Sequence, residues 1–495
     1  MSSRVLTRVL LLAALVAAPL HARDVDLGTL RAWELPGYTL IALDGDDPTR
    51  IARRIADTER VLGKLLARQV KPTTTPMTVW LAPEDLWNRY LAPGPAIAGE
   101  YVPRRFSNYL ILNGDLAPSL MGRGLQHECT HWFLNTQVGG IFPLWFDEGM
   151  AELLGRSRIR KRQVTFDVPP APPAGGWVEM ARLFELDKRS PEYLEPPNSE
   201  MVHLESWALV HRGLIADTTF GDRIFAYLSA INRLVPTEDA MPKSFGTSYA
   251  ELDTLMRSYL VQPRMTLATL PLDEPAPTRL PAGRLLGDAE ALATFARVAL
   301  DTGFRPEYAH ELVDAAAAAA PGARAVAALK LRLAVRNRDD AEALRLGAEL
   351  PATPDAAAAR DIGLALFERV NEPERALPDA TRERFETLAF AALERALDAD
   401  PGDPPAAWGY AMLATRRQSH VAQALDRLAA ARQRMPGHPD LSEATARALE
   451  ATGKEDAMMP FLVDALRNTS SSEQRAWAAR RIRELRLKQR EQAPQ

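Results

Sequence analysis

Several things are scarce in this chain, and each scarcity closes off a class of protein. Its 495 residues contain a single cysteine, so neither an internal disulfide framework nor a cysteine-based zinc finger is available. A metal site, if present, must use histidine and carboxylate. Charge of neither sign dominates: sixty Lys and Arg stand against sixty-four Asp and Glu, a net charge of −4. Without a basic excess, DNA or RNA is not expected as the main partner. Long hydrophobic runs are missing too, since no stretch approaches the roughly 20 apolar residues of a membrane-spanning helix. Disorder as the global state is excluded as well, because 46% of the residues are hydrophobic and the length suits two to three domains.

Residues 1–22 read as a secretory signal, with Arg4 and Arg8 ahead of the apolar run Val9 to Pro19 and small Ala22 for cleavage. An uncleaved signal anchor is the other reading. No cysteine follows the run, so a lipoprotein anchor is not expected there. The mature protein is expected to be soluble in a bacterial periplasm or outside the cell, with no transmembrane segment.

Residues 23–115 read as a small α/β subdomain. Its strands are expected at 37–42, 77–82 and 108–113, with an amphipathic helix over 47–68 that presents Ile51, Ile55, Val61, Leu62, Leu65 and Leu66. Residues 116–265 turn mostly helical, interrupted by a loop rich in proline and glycine at 168–176 that is either a lid or a connection. Pro271, Pro275, Pro277 and Pro281 mark 266–284 as a linker. From 285 to 495 no strand pattern appears. The fold class is therefore an α+β N-terminal part with a mainly helical core, followed by an all-α half.

The helical half carries a faint period. Ala309, Val313, Ala316 and Pro321 share their spacing with Ala389, Leu393, Ala396 and Pro401, and with Ala424, Leu428, Ala431 and Pro436. Apolar residues set four and three apart lie where two antiparallel helices touch, and the proline closes the second helix. The pattern, with Trp408 near the start of the last pair, resembles the tetratricopeptide repeat. Pro401 to Pro436 spans 35 residues, close to that repeat, whereas Pro321 to Pro401 spans 80, so an irregular alanine-rich bundle is the alternative.

The residues that carry chemistry are His127-Glu128-Cys129-Thr130-His131. Positions four apart return to one helix face, so the two imidazoles can converge on one cation, and Glu128 sits one step round, placed to touch a bound water. Downstream, Trp145-Phe146-Asp147-Glu148-Gly149-Met150-Ala151-Glu152 offers Glu148 as a third ligand and Glu152, on the same face, as an acceptor for a liganding imidazole's free N–H. Two His, one Glu and an open fourth position form a catalytic type of zinc site.

Together these motifs resemble the gluzincin metallopeptidases, in their aminopeptidase-like and peptidase-MA-like branches, over residues 99–259. The resemblance implies a gluzincin-like core holding one Zn2+ through His127, His131 and Glu148, with Glu128 as general base and Glu152 behind the ligands. Residues 202–210 are similar to a later helix of these enzymes, in which a tyrosine usually binds the oxyanion; here His203 takes that place. In the family the strand before the active-site helix pairs with extended substrates, which implies substrate contacts along Asn108, Leu110 and Leu112.

The functional expectation is an exported zinc metallopeptidase whose helical repeats bind a substrate or a protein partner. A catalytically inactive scaffold that binds partners through the repeats is the alternative, and hydrolysis of a non-peptide amide or ester a third reading. Blander roles also stand: Asp147 in place of Glu148 as the helix N-terminal carboxylate, Glu152 on a solvated face, His203 as a structural residue, and Cys129 as a small buried one. The basic run Arg156, Arg158, Arg160, Lys161 and Arg162 is a solvated surface or a site for acidic groups near the cleft.

Overall fold

The computed structural model describes residues 29–66, 75–83, 86–91, 98–116, 118–166, 176–262, 267–274, 279–303, 305–349, 355–372 and 376–492. The expected signal at 1–22 lies outside the described residues, as do Pro275, Pro277 and the 168–175 part of the expected loop.

The three apolar runs of the N-terminal part become the parallel centre of a sheet. β1 (Leu30–Leu35) and β2 (Tyr38–Leu43) form a hairpin turned at Gly37, whose φ of 89° suits glycine. β3 (Met77–Ala82) lies parallel to β2, β4 (Gly99–Pro103) forms one edge, and β5 (Asn108–Asn113) pairs parallel with β3 and antiparallel with β4. Between β2 and β3 runs α1 (Pro48–Leu65), started by Asp47, whose side chain accepts from Arg50 N.

Strand alternation divides the sheet's side chains. Leu40, Val79, Leu110 and Leu112 face Ile51 and Ile55 of α1 and Met121, Leu125, Cys129 and Trp132 of α2 (Pro118–Phe133). Ile41, Trp80, Tyr109 and Ile111 point to the opposite face. Strands buried on both faces read as continuous apolar runs, and these do.

After α2 the chain turns through 134–143 into α3 (Leu144–Gly155). The hairpin β6 (Arg158–Arg160) and β7 (Gln163–Phe166) follows, then α4 (Asn198–His211), α5 (Thr218–Ile231), α6 (Thr237–Phe245) and α7 (Tyr249–Leu260). Trp145, Phe146, Trp207, Tyr227 and Phe245 are buried among these helices.

The proline-rich stretch is stitched down at both ends. β8 (Ala268–Pro271) pairs with β7, and β9 (Arg284–Leu285) adds to β1, giving the order β4-β5-β3-β2-β1-β9 in the large sheet. Pro271 is tolerated because β8 is an edge strand.

Beyond it come α8 (Asp288–Thr302), α9 (Ala309–Ala319), α10 (Arg324–Arg336), α11 (Asp340–Ala348), α12 (Ala356–Val370), α13 (Asp379–Ala399), α14 (Pro404–Arg417), α15 (Val421–Arg434), α16 (Pro439–Ala451), α17 (Met459–Asn468) and α18 (Ser472–Gln492). The first of these close the open face of the sheet: the Phe295 ring of α8 lies 3.9 Å from that of Trp80, and α9 and α10 join the same core. The proline-rich stretch thus separates two sequence patterns while the hydrophobic core runs across it. The nine apolar positions of the period, Ala309, Val313, Ala316, Ala389, Leu393, Ala396, Ala424, Leu428 and Ala431, are all fully buried. Pro321, Pro401 and Pro436 each stand two residues past a helix end. At its far end the helical half meets residues ahead of the proline-rich stretch again, where the Arg475 guanidinium donates to Asn232 O and a Cβ at Gly139 would lie 3.4 Å from Arg467 O. No helix among the described residues is long and apolar enough to cross a membrane.

Candidate metal centre

His127 and His131 occupy successive turns of α2, their ring centroids 4.9 Å apart. Helix α3 brings Glu148 to them because it lies against α4 at backbone distance. A Cβ on Gly149 would stand 2.3 Å from Ser206 O and 2.6 Å from Val210 Cγ2, so only glycine fits at that crossing. This explains the glycine that follows Glu148, and the same crossing brings His203 of α4 to the site.

Glu148 is 1% exposed. Its Oε2 stands 3.5 Å from His127 Nε2, 3.6 Å from His131 Nε2 and 3.4 Å from His203 Nε2, and makes no hydrogen bond. A buried carboxylate oxygen ringed by imidazole nitrogens 3.4–3.6 Å away, yet hydrogen-bonded to none of them, leaves room for a cation. Two ligand atoms bound at zinc's usual lengths in a tetrahedron stand about 3.3–3.5 Å apart; the His127 separation from Glu148 lies at the top of that range and the His131 separation just beyond it. These three residues form one trio with converging ligand atoms. A second trio, His127, Glu152 and His203, also converges, but Glu152 Oε2 already accepts from Arg156 Nε at 2.6 Å.

The remaining atoms of these side chains are held from behind. Glu148 Oε1 accepts from the Tyr193 hydroxyl at 2.8 Å, leaving Oε2 to face the imidazoles. His131 Nδ1 lies 2.8 Å from Asp147 Oδ1, and His127 Nδ1 lies 3.5 Å from Glu152 Oε1. His203 Nδ1 lies 2.7 Å from Ser199 O; a carbonyl only accepts, so the nitrogen carries the proton. All three rings therefore turn Nε2 toward Glu148.

Electrostatics follow from this crowding. Burial raises the Glu148 carboxyl, yet the surrounding imidazoles, His131 foremost, hold it well below its ordinary value. Burial lowers His203, and the Glu148 and Glu152 carboxylates more than reverse it, to about 9. Burial also lowers the Lys188 ammonium, while Asp147, Glu148, Glu128 and Glu100 lift it above the usual lysine value. Glu100, on β4, is pushed up to about 7 by burial and by Glu128. Glu128 itself turns toward the sheet edge, its Oε2 accepting from Tyr101 N of β4 at 2.8 Å.

The expected substrate strand needs correction. Asn108, Leu110 and Leu112 lie on β5, which is paired on both sides and wholly buried, so it has no free main-chain groups. The free edge is β4. Ala98 O accepts from Asn113 N and Arg104 N donates to Ser107 O; by alternation, Gly99 and Tyr101 point their main-chain groups away from β5.

The other sequence assignments sort by location. His127, His131, Glu148, Glu152 and His203 come together. Cys129 faces the sheet core, and burial lifts its thiol well above the ordinary value. His211 stacks on Trp207 and meets the Tyr259 hydroxyl at 2.6 Å. Asp147 is the partner of His131, a role the sequence reading did not give it although its place beside Glu148 was a usable signal. Tyr193 and Lys188 had no local signal, because a one-turn helix (Pro191–Leu194) and the turn before it bring them in from outside the motif.

No family profile and no curated protein matches the chain. Among solved structures it is similar to the one titled "Crystal structure of YrrB: a TPR protein with an unusual peptide-binding site", at 17% identity with a TM-score of 0.29, over 39% of this chain and 92% of that one.

Proposed function

We propose that this chain is an exported zinc metallopeptidase of gluzincin type. The observation that carries the reading is the orphaned Glu148 Oε2 beside His127 and His131, at separations within about 0.1 Å of those in a tetrahedral zinc site. When bound, zinc supplies Lewis acidity, acidifying water and polarising a carbonyl. The chain's own groups do the rest. An extended peptide lies along β4, against the outward main chain of Gly99 and the carbonyl of Tyr101. Glu128, anchored by Tyr101 N, takes the proton from the attacking water and passes it to the leaving amine. His203, cationic beside the Glu148 and Glu152 carboxylates, keeps Nδ1–H on Ser199 O and offers Nε2–H to the developing oxyanion. Asp147, Glu152 and Tyr193 keep the ligand atoms pointed inward. The helical half, in this reading, serves substrate or partner binding.

The test is zinc content by elemental mass spectrometry beside turnover of a peptide library. Wild type is expected to hold about one zinc per chain, His127→Ala none, and Glu128→Gln to keep the metal while losing cleavage. A fully active Glu128→Gln protein refutes the mechanism; absence of zinc after reconstitution moves the function to the scaffold alternative.

A further inference from the structure

The turn between β4 and β5 leaves Arg104 and Arg105 exposed but half-buries Phe106 against the helical half. Closed by Arg104 N donating to Ser107 O at 2.9 Å, it sets Arg105 and Phe106 against α14 and the start of α16. The Phe106 ring stacks on His438 at 4.7 Å and meets Trp408 at 5.8 Å. The Arg105 guanidinium lies 4.1 Å from the centre of the Trp408 ring and pairs with Asp440. His438 Nε2 donates to Arg105 O at 2.9 Å. Trp408 belongs to α14, His438 caps α16 and Asp440 opens it. Two cavities, of about 770 and 870 Å³, flank the tip, and Arg104 and Arg105 line both.

These contacts are the kind that hold a peptide in a groove: an aromatic sandwich, a cation on a ring, an ion pair and a main-chain hydrogen bond. Here they hold part of the same chain. From the tip, one short strand leads to the catalytic region. Asn135 Nδ2 donates to the Tyr101 hydroxyl, which donates to Asn108 Oδ1, and Tyr101 N reaches Glu128. β4 is bonded to the sheet on one side only, and an edge strand so short opens easily unless something pins its end.

We propose that Arg105 and Phe106 are positioning residues: seated against α14 and α16, they lock β4 in the register that presents Tyr101 N–H to Glu128, so the helical half splints the substrate-binding edge. This goes beyond the peptidase reading. Its effect on the strand requires no metal, whereas its effect on turnover rests on that reading.

Hydrogen exchange of the full metal-free chain, followed by mass spectrometry, tests it. In an Arg105→Ala/Phe106→Ala double variant, amides of residues 98–103 are expected to exchange about tenfold faster or more, with α3 and α4 unchanged. Phe106→Tyr, which keeps the ring, should retain wild-type protection. Trp408→Ala, which removes the seat from the other side, should reproduce the loss and stands in if the double variant fails to fold. Unchanged protection of 98–103 in the folded variants overturns the proposal, and so does faster exchange spread evenly over the chain. With a cleavable extended peptide, KM should rise severalfold and kcat fall with it, because Glu128 loses its anchor on Tyr101 N, at constant zinc content. If no peptide is cleaved, the exchange result still decides the splint, and the failure belongs to the peptidase reading.

Discussion

Gly149→Ala separates two physical arguments by sign. Taken alone, a glycine in the middle of a helix is about 1 kcal/mol worse than alanine, so local propensity predicts that the substitution stabilises α3. The tertiary structure predicts the opposite. The new Cβ would sit 2.3 Å from Ser206 O and 2.6 Å from Val210 Cγ2, while unstrained contacts need about 3.5 Å. Helices α3 and α4 must therefore separate by roughly 1 Å at a contact that involves backbone and cannot be relieved by a rotamer change. Overpacking of this kind costs ~1–3 kcal/mol or more, which exceeds the propensity gain. At about 2–4 °C per kcal/mol for a cooperative unit of 150–250 residues, the melting temperature of the metal-free protein, read by differential scanning fluorimetry in EDTA, is expected to fall by several degrees. Zinc affinity should fall with it, since Glu148 moves with α3. Gly45→Ala, where nothing lies within 4 Å of the added atom, is the control and should leave the melting temperature unchanged. A Gly149→Ala protein that melts at or above wild type refutes the close helix crossing and, with it, the placement of Glu148 and His203.

Asp147→Asn keeps the shape but removes the charge behind His131 Nδ1, so zinc affinity, measured by competition with a chromogenic chelator, should weaken about 10–100-fold; wild-type affinity would count against this orienting role. Phe295→Ala empties a fully buried site against Trp80 and should cost about 3–5 kcal/mol, lowering the melting of the N-terminal and helical parts together; a transition confined to the helices would show that the sheet does not share their core. Burial lifts Glu59 to about 7, against the hydrogen bond from Gln137 that pulls it down. The folded state keeps a proton that the unfolded chain loses near 4.5, so this contribution is complete below that pH and is lost as pH rises through 7. Glu59→Gln should flatten the stability profile in that window, and an unaltered slope in a melting series from pH 4.5 to 7 would remove Glu59 as its source.

How much of the site was legible depended on how local each element is. His127 and His131 lie one helical turn apart and Glu148 and Glu152 another, so helix geometry alone pairs them. Their convergence on one another needed the Gly149 crossing, whose reason lies in α4, more than fifty residues on. Asp147 was visible but ambiguous, because a carboxylate in a first helical turn satisfies the helix dipole as well as an imidazole. Tyr193 and Lys188 were not legible, since nothing in their neighbourhood records that they end beside Glu148. The edge strand was misread for a related reason: β4 carries Gly99 and Pro103 and looks weaker than the strongly apolar β5, yet a strand buried on both faces is the interior one and the weaker strand takes the edge.

By itself the sequence determined whatever is written in residues one turn or one strand apart: the three central strands, helix α1, the paired histidines with their downstream glutamates, and the nine buried positions of the helical half. Tertiary structure alone decided that α8 to α10 complete the sheet's core across the proline-rich stretch, that α14 and α16 meet the Arg105–Phe106 tip, and which side chains stand behind His127, His131 and Glu148. Those are contacts between residues tens to hundreds of positions apart, and apolar periodicity states only that a face will be buried, not against what.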